Sequence, residues 1–138
     1  MSSIVRFGVS LEKELSDKFD NFIKGKGYPN RSEAIRNLIR GDLIKEVWST
    51  DKNIAGAIIL VYDHHKRELL DSLTNIQHDH HHLIISTQHI HLDHNNCLEI
   101  IVVKGKAKDA RKLCDALKSA KGIKYATLSM ATTGNKIP

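Results

Sequence analysis

The sequence predicts an α+β protein made of two unlike parts, and three observations predict it. Residues 5–11 alternate apolar and polar side chains, and two stretches of helical periodicity follow them. A short polar stretch, Ser49-Thr50-Asp51-Lys52-Asn53, then breaks the pattern. Beyond it the apolar segments run in the order β-α-β-β-α-β.

The opening strand puts Val5, Phe7, Val9 and Leu11 on one face and Arg6, Gly8 and Ser10 on the other. Ser10 is placed to cap a first helix, with Glu12 and Glu14 in its first turn. Leu15, Phe19, Phe22 and Ile23 form one apolar stripe, and Gly25, Gly27 and Pro29 end that helix. A second helix opens at Asn30-Arg31-Ser32-Glu33, where Asn30 and Glu33 have capping-box spacing. Ala34, Ile35, Leu38, Ile39, Leu43, Ile44 and Val47 make its buried side, and Gly41 inside it costs about 1 kcal/mol relative to Ala. One strand and two helices cannot close a core or satisfy the strand's edges alone. A second copy repairs this by pairing the strands as a ribbon. The expectation for residues 1–48 is therefore a ribbon-helix-helix dimer, whose β-ribbon enters the DNA major groove.

Residues 49–53 read as a linker, and residues 54–138 as a ferredoxin-like (ACT-type) βαββαβ domain. Its expected elements are a strand over 54–62, a helix from Lys66 to about His81, and strands over 83–92 and 97–103. A helix over 107–121, stopped by Gly122, and a strand over 123–131 close the order. Leu69, Leu70, Leu73 and Ile76 face inward from the first of these helices, and Ala110, Leu113, Cys114 and Leu117 from the second.

Composition bounds the function. The 138 residues are 41% hydrophobic and 27% charged, with a net charge of +5, as in a globular chain that tolerates a polyanionic partner. No apolar run approaches the roughly 20 residues needed to cross a bilayer. The first residues lack the layout of a secretory signal, so a cytoplasmic location and two reduced cysteines, Cys97 and Cys114, are expected.

Histidine carries the chemistry. All nine histidines lie between His64 and His94. His89 and His91 sit two apart in an expected strand and share a face, and Cys97 starts the next strand just past the turn. If His91 stands opposite Cys97, their Cβ atoms lie about 5 Å apart and two imidazoles and a thiol converge. Solvent-facing alternation explains polarity there, but not two histidines beside a cysteine. His78 is the best candidate for a fourth donor, with His80, His81 and His82 as rivals or mere surface. Because its helix joins the hairpin by a short connection, supply from a neighbouring subunit is attractive. Three nitrogens and one sulfur suit zinc in tetrahedral geometry and nickel(II) or copper(II) in a square plane, so the residues leave the metal open. Cys114 falls on an apolar stripe and reads as core. His64 and His65 stand at a strand-to-helix junction, where capping and a secondary metal site are equally open.

Tyr62, Gln77-His78, His89-Ile90-His91, Cys97-Leu98-Glu99-Ile100 and Val103-Lys104-Gly105 resemble the metal-binding half of the nickel-responsive transcriptional regulators. With Asn30-Arg31-Ser32-Glu33-Ala34-Ile35-Arg36 and the ribbon in front, the resemblance covers nearly the whole chain. It implies a homotetramer with four ACT-like domains at the centre and a DNA-binding dimer at each end. It also implies one square-planar nickel(II) per subunit, held by His89, His91 and Cys97 of one subunit and His78 of another. Members often carry a second cation site using the position of Glu33 and a carboxylate one turn later; here that later residue is Asn37. Gly8 replaces a hydroxyl residue on the ribbon, which leaves base reading to Arg6 and Ser10, with Arg31 set against phosphate.

The expected function is repression of nickel-uptake genes by binding palindromic operator DNA when nickel(II) is present. The alternatives are a regulator of copper or zinc, or an ACT-domain regulator of an amino acid, which needs no convergent His and Cys. An enzyme is not expected: a metal hydrolase requires an open coordination position, and four protein ligands leave none.

Overall fold

In the computed structural model, which describes residues 3–50, 52–135 and 137–138, helix α1 spans Lys13–Lys26 and helix α2 spans Arg31–Ser49. Strand β1 (Asn53–Asp63), helix α3 (Arg67–Asp79), strands β2 (Ile84–His91) and β3 (Asn96–Lys106), helix α4 (Ala107–Ser119) and strand β4 (Ile123–Met130) follow. The chain divides into two compact units, and the division falls inside α2, between Ile39 and Arg40. Asp51, in the expected linker, lies outside the described residues. No helix among the described residues is long and apolar enough to cross a membrane.

In the first unit, residues 3–12 form no strand in the single chain. The physical reason is that strand hydrogen bonds need a second strand, and this unit holds none. Val5, Phe7 and Val9 are consequently 80%, 74% and 61% exposed. Helix α1 starts at Lys13, with Glu12 at its cap position and no side-chain cap bond. Ser10 therefore does not cap it, being two residues upstream of Glu12. Gly27 ends α1 in the left-handed region (φ 74°), where the Tyr28 N–H reaches the Ile23 carbonyl at 3.1 Å. Asn30 Oδ1 accepts the Glu33 N–H at 2.9 Å, so the expected cap of α2 forms. Only Ile23 and Ala34 are buried among the described residues up to Ile39.

The second unit closes a core of its own. Its four strands form one antiparallel sheet in the order β2-β3-β1-β4, with each βαβ connection crossing a strand. Along β1 the residues Ile54, Gly56, Ile58, Leu60 and Tyr62 are buried, and along β3 Cys97, Glu99, Ile101 and Val103. These two series are cross-strand partners and so share one face: Tyr62 pairs with Cys97, Leu60 with Glu99 and Ile58 with Ile101. Leu69 and Leu73 of α3 and Ala110, Leu113, Cys114 and Leu117 of α4 pack on that face. Cys114 is core, and its burial raises its thiol pKa. The other face carries Ile59, Val61, Leu98, Ile100 and Val102, all only partly buried, with Ile90 and Tyr125 more exposed.

Trp48, near the end of α2, joins this core at 1% exposure. Its indole N–H donates to the Ala131 carbonyl at 2.9 Å, and the Arg111 guanidinium lies 5.7 Å from its ring centroid while donating to the Trp48 carbonyl at 3.0 Å. Gly56 makes room for it. A Cβ there would meet Ser129 O at 2.8 Å and the indole at 3.2 Å. Gly41 does not interrupt α2, which is continuous from Arg31 to Ser49.

Candidate metal centre

The β2–β3 hairpin determines which donors share a face. His91 is opposite Cys97, and His89 is opposite Glu99. With Tyr62 opposite Cys97 on the other side of β3, two rows form on the helix-bearing face. One row is His91-Cys97-Tyr62 and the next is His89-Glu99-Leu60. Because β2 is an edge strand beyond the helices, its histidines are exposed while Cys97 is 2% exposed. Two imidazoles at an open edge beside a buried thiol fit a borderline transition metal, which accepts nitrogen and sulfur together.

Glu99 is the buried charged residue of the core among the described residues, at 1% exposure. Its Oε1 accepts the Tyr62 hydroxyl at 2.5 Å and its Oε2 accepts the Gln77 amide at 2.7 Å. His89 Nδ1 lies 3.4 Å from Glu99 Oε1 and 3.4 Å from the Tyr62 hydroxyl. Burial first, and then the neighbouring Glu99 carboxylate, push the Tyr62 pKa far up, so it stays a neutral donor. A cleft of about 170 Å³ opens beside these residues, lined also by Leu70, Leu73 and Thr74.

Six of the seven remaining histidines fall into two groups, while His80 places its Nδ1 2.9 Å from the Ile76 carbonyl. His64 stacks on His91, with ring centroids 4.7 Å apart, and its Nε2 is buried without a hydrogen-bond partner among the described residues. His65 lies against His64 at 4.2 Å and His94 at 5.4 Å, and its Nδ1 is 3.2 Å from Asp63 Oδ1. His78 lies 6.0 Å from His81, which faces His82 at 6.1 Å. Both His78 and His81 are exposed, as the end of α3 leaves them. Among the described residues, no three His, Cys, Asp or Glu side chains of one chain converge closely enough to hold a metal. By register the hairpin puts His89, His91 and Cys97 on one sheet face, and His78 lies on another element, at the end of α3.

The residues expected to meet DNA are all exposed: Arg6, Ser10 and Arg31. Arg31 is also forked onto Asp20, through Nε at 2.9 Å and Nη2 at 2.8 Å, a pairing that lowers the Asp20 pKa. Glu33 is paired with Arg36, and Asn37 donates to the Tyr28 hydroxyl.

Residues 55–131 match the profile of the NikR C-terminal nickel-binding domain. A protein of Syntrophus aciditrophicus is 56% identical over 97% of this chain and 98% of its own length. The chain belongs to the nickel-responsive regulator family. Relatives from Chlorobaculum parvum, 55% identical over 96% of the chain and 98% of their length, and from Solibacter usitatus, 52% over 97% of each, agree. All three are provisionally named nickel-responsive regulators. An uncharacterised protein of Thermotoga maritima shares the fold alone, with a TM-score of 0.53 and 11% identity over 57% of this chain and 98% of that one. The family match covers the unit that carries His78, His89, His91 and Cys97.

The local roles of Glu99, Tyr62 and Gln77 escape a reading by ligand type, because none of them belongs to the donor set. A signal for Glu99 exists nonetheless. It falls on the inward register between Cys97 and Ile101, where period 2 requires an apolar residue.

Proposed function

We propose that this chain is a nickel-dependent transcriptional repressor, acting in the cytoplasm on palindromic operator DNA to control nickel uptake. The observation that carries the reading is the cross-strand placement of His91 opposite Cys97, with His89 on the same face, inside a unit that matches a nickel-binding domain. His89, His91 and Cys97 of one subunit and His78 of another hold one nickel(II) per subunit. One observation favours a ligand given in trans: His78 ends α3, exposed beside His81, on a different element from the hairpin that carries His89, His91 and Cys97. Nickel then supplies a cross-link between subunits, so metal binding and assembly are one event.

The partly apolar sheet face without a helix on it supports the central tetramer, since a second copy is the natural cover for such a face. Residues 1–48 form the DNA-binding dimer, 49–53 the linker and 54–138 the metal-binding and tetramerisation domain. Exposed Val5, Phe7 and Val9 line up for a ribbon between two copies. Arg6 and Ser10 then face base edges, and Arg31, held by Asp20, contacts phosphate with its remaining donors. Nickel at the core restricts how the outer dimers sit and favours a pose that grips both half-sites, a coupling between separate sites. No role in this reading is catalytic.

The test is metal loading of the purified protein. Nickel should give a thiolate-to-nickel charge-transfer band and nickel-dependent operator retention, both lost in Cys97→Ala and kept in Cys114→Ala. Stoichiometric nickel held by Cys97→Ala against a chelator would refute the ligand set.

A further inference from the structure

Helix α2 begins in the first unit and ends in the second. Its residues from Arg40 onward belong to the second unit, and two points fasten them there. The lower point is Trp48, buried and bonded to the Ala131 carbonyl. The upper point is Arg40, whose Nε donates to the Pro138 carbonyl at 2.7 Å. The two acceptors bracket one segment, residues 131–138, which follows β4.

Arg40 and Trp48 stand two turns of helix apart, a rise of about 12 Å. Fully extended, residues 131–138 would reach about 23 Å and overshoot. Gly134 takes up the excess by turning the segment, with a φ of 84° in the left-handed region. Its N–H donates to the Thr132 hydroxyl at 3.0 Å, and its carbonyl faces the Ile137 N–H at 3.5 Å. Arg40, Leu43 and Val47 recur at helical spacing and share one side of α2. Leu43 and Val47 line a cleft of about 370 Å³ with Thr133, Asn135 and Ile137 from the segment. Leu43, Val47 and Ile137 are half-buried.

We infer that residues 132–138 are a strap that fastens the second half of α2 to the metal-binding unit, and so relays the state of that unit toward the DNA-binding one. The relay rests on the reading of the chain as a nickel-dependent repressor; the strap itself does not. Helix α2 is the covalent passage from residues 1–39 to the second unit. Gly41, a poor helix former, lies next to Arg40. A short helical stretch of this kind frays unless packing holds it. Held at Trp48 and at Arg40, it moves with the sheet. Freed at Arg40, it unfolds locally and absorbs a shift before that shift reaches residue 39.

The experiment follows hydrogen exchange at the amides of residues 43–48 in the full-length protein, with Arg40→Ala, Arg40→Lys and Ile137→Ser beside wild type. Arg40→Ala should speed that exchange about 3–10-fold, the effect of one lost hydrogen bond. Ile137→Ser should act in the same direction without removing a charge. Arg40→Lys, which still donates to the carbonyl, should stay within about twofold of wild type. Exchange at Ile58 and Ile101, inside the sheet, should not change. Gel shifts with and without nickel then read the relay. The proposed donors lie on α3, β2 and β3, so nickel affinity should hold within about twofold. The nickel-dependent gain in operator affinity should fall by about threefold or more in Arg40→Ala and in Ile137→Ser.

Unchanged exchange at residues 43–48 in both of these variants would overturn the strap. Faster exchange with an undiminished nickel gain would overturn its relay. So would a loss of operator affinity in Arg40→Ala alone, equal with and without nickel, because that marks Arg40 as a phosphate contact. Wild-type protein whose operator affinity ignores nickel would bring down the repressor reading itself, and the exchange rates would still decide the strap.

Discussion

The two units of this chain use apolar residues in opposite ways. The unit from Arg40 onward buries Trp48, Ile58, Leu60, Ile101, Leu113 and Leu117 among its own elements. The unit ending at Ile39 buries Ile23 and Ala34 and leaves Val5, Phe7, Val9, Leu15 and Leu38 exposed. The first case is a four-stranded sheet with two helices to cover one face, which suffices for a core. The second is two helices with an unpaired extended segment, which does not. An apolar cleft of about 890 Å³ between Phe7, Val9, Leu11, Leu15, Phe19, Ile35 and Leu38 marks where its core is incomplete. One unit therefore closes a core of its own, and the other leaves apolar side chains uncovered.

The largest expected effect that sharpens this contrast is Trp48→Ala. Deleting a fully buried indole with its bond to Ala131 should cost about 3–5 kcal/mol in chemical denaturation of the full chain. A loss under 1 kcal/mol would mean that the end of α2 is not part of the second unit's core.

On the other side, Phe7→Asp should abolish operator binding in a gel-shift assay. It should move the unfolding of the second unit by no more than about 0.5 kcal/mol, because the exposed ring contributes nothing to that core. Destabilisation of both units together would break the contrast between them.

Subunit exchange tests how the second unit is itself completed. His78→Ala and Cys97→Ala proteins, each expected to lose tight nickel binding, should rebuild some intact sites when mixed, read as recovered thiolate-to-nickel absorbance. Zero recovered sites in verified mixed oligomers would place all four ligands in one chain.

The smallest effect concerns Asp20 and Arg31. The hydrogen bond from Arg31 holds the Asp20 pKa below its ordinary value of about 3.9. A depressed folded-state pKa stabilises above the unfolded value, and this stabilisation is lost as pH falls through the folded value. Wild type should therefore keep slightly more helix than Asp20→Asn at neutral pH, measured by circular dichroism, with the difference shrinking as pH falls below about 4. A difference that persisted at pH 2 would exclude this ion pair as its source.

Periodicity and residue type carried much of this protein. The order β-α-β-β-α-β, the inward stripes of α3 and α4, the Asn30 cap and the pairing of His91 with Cys97 follow from alternation, helical spacing and a short turn, all of them local. Local rules also misplaced the start of α1, since Ser10 has the chemistry of a cap but α1 begins beyond it, at Lys13. Only the tertiary structure decided the rest, because it depends on residues distant in sequence. Trp48 meets Ala131 and Arg111 across the fold, and Glu99 takes Tyr62 from β1 and Gln77 from α3 onto one carboxylate. A buried charge is tolerated only where such distant donors meet it, and no stretch of sequence announces that meeting.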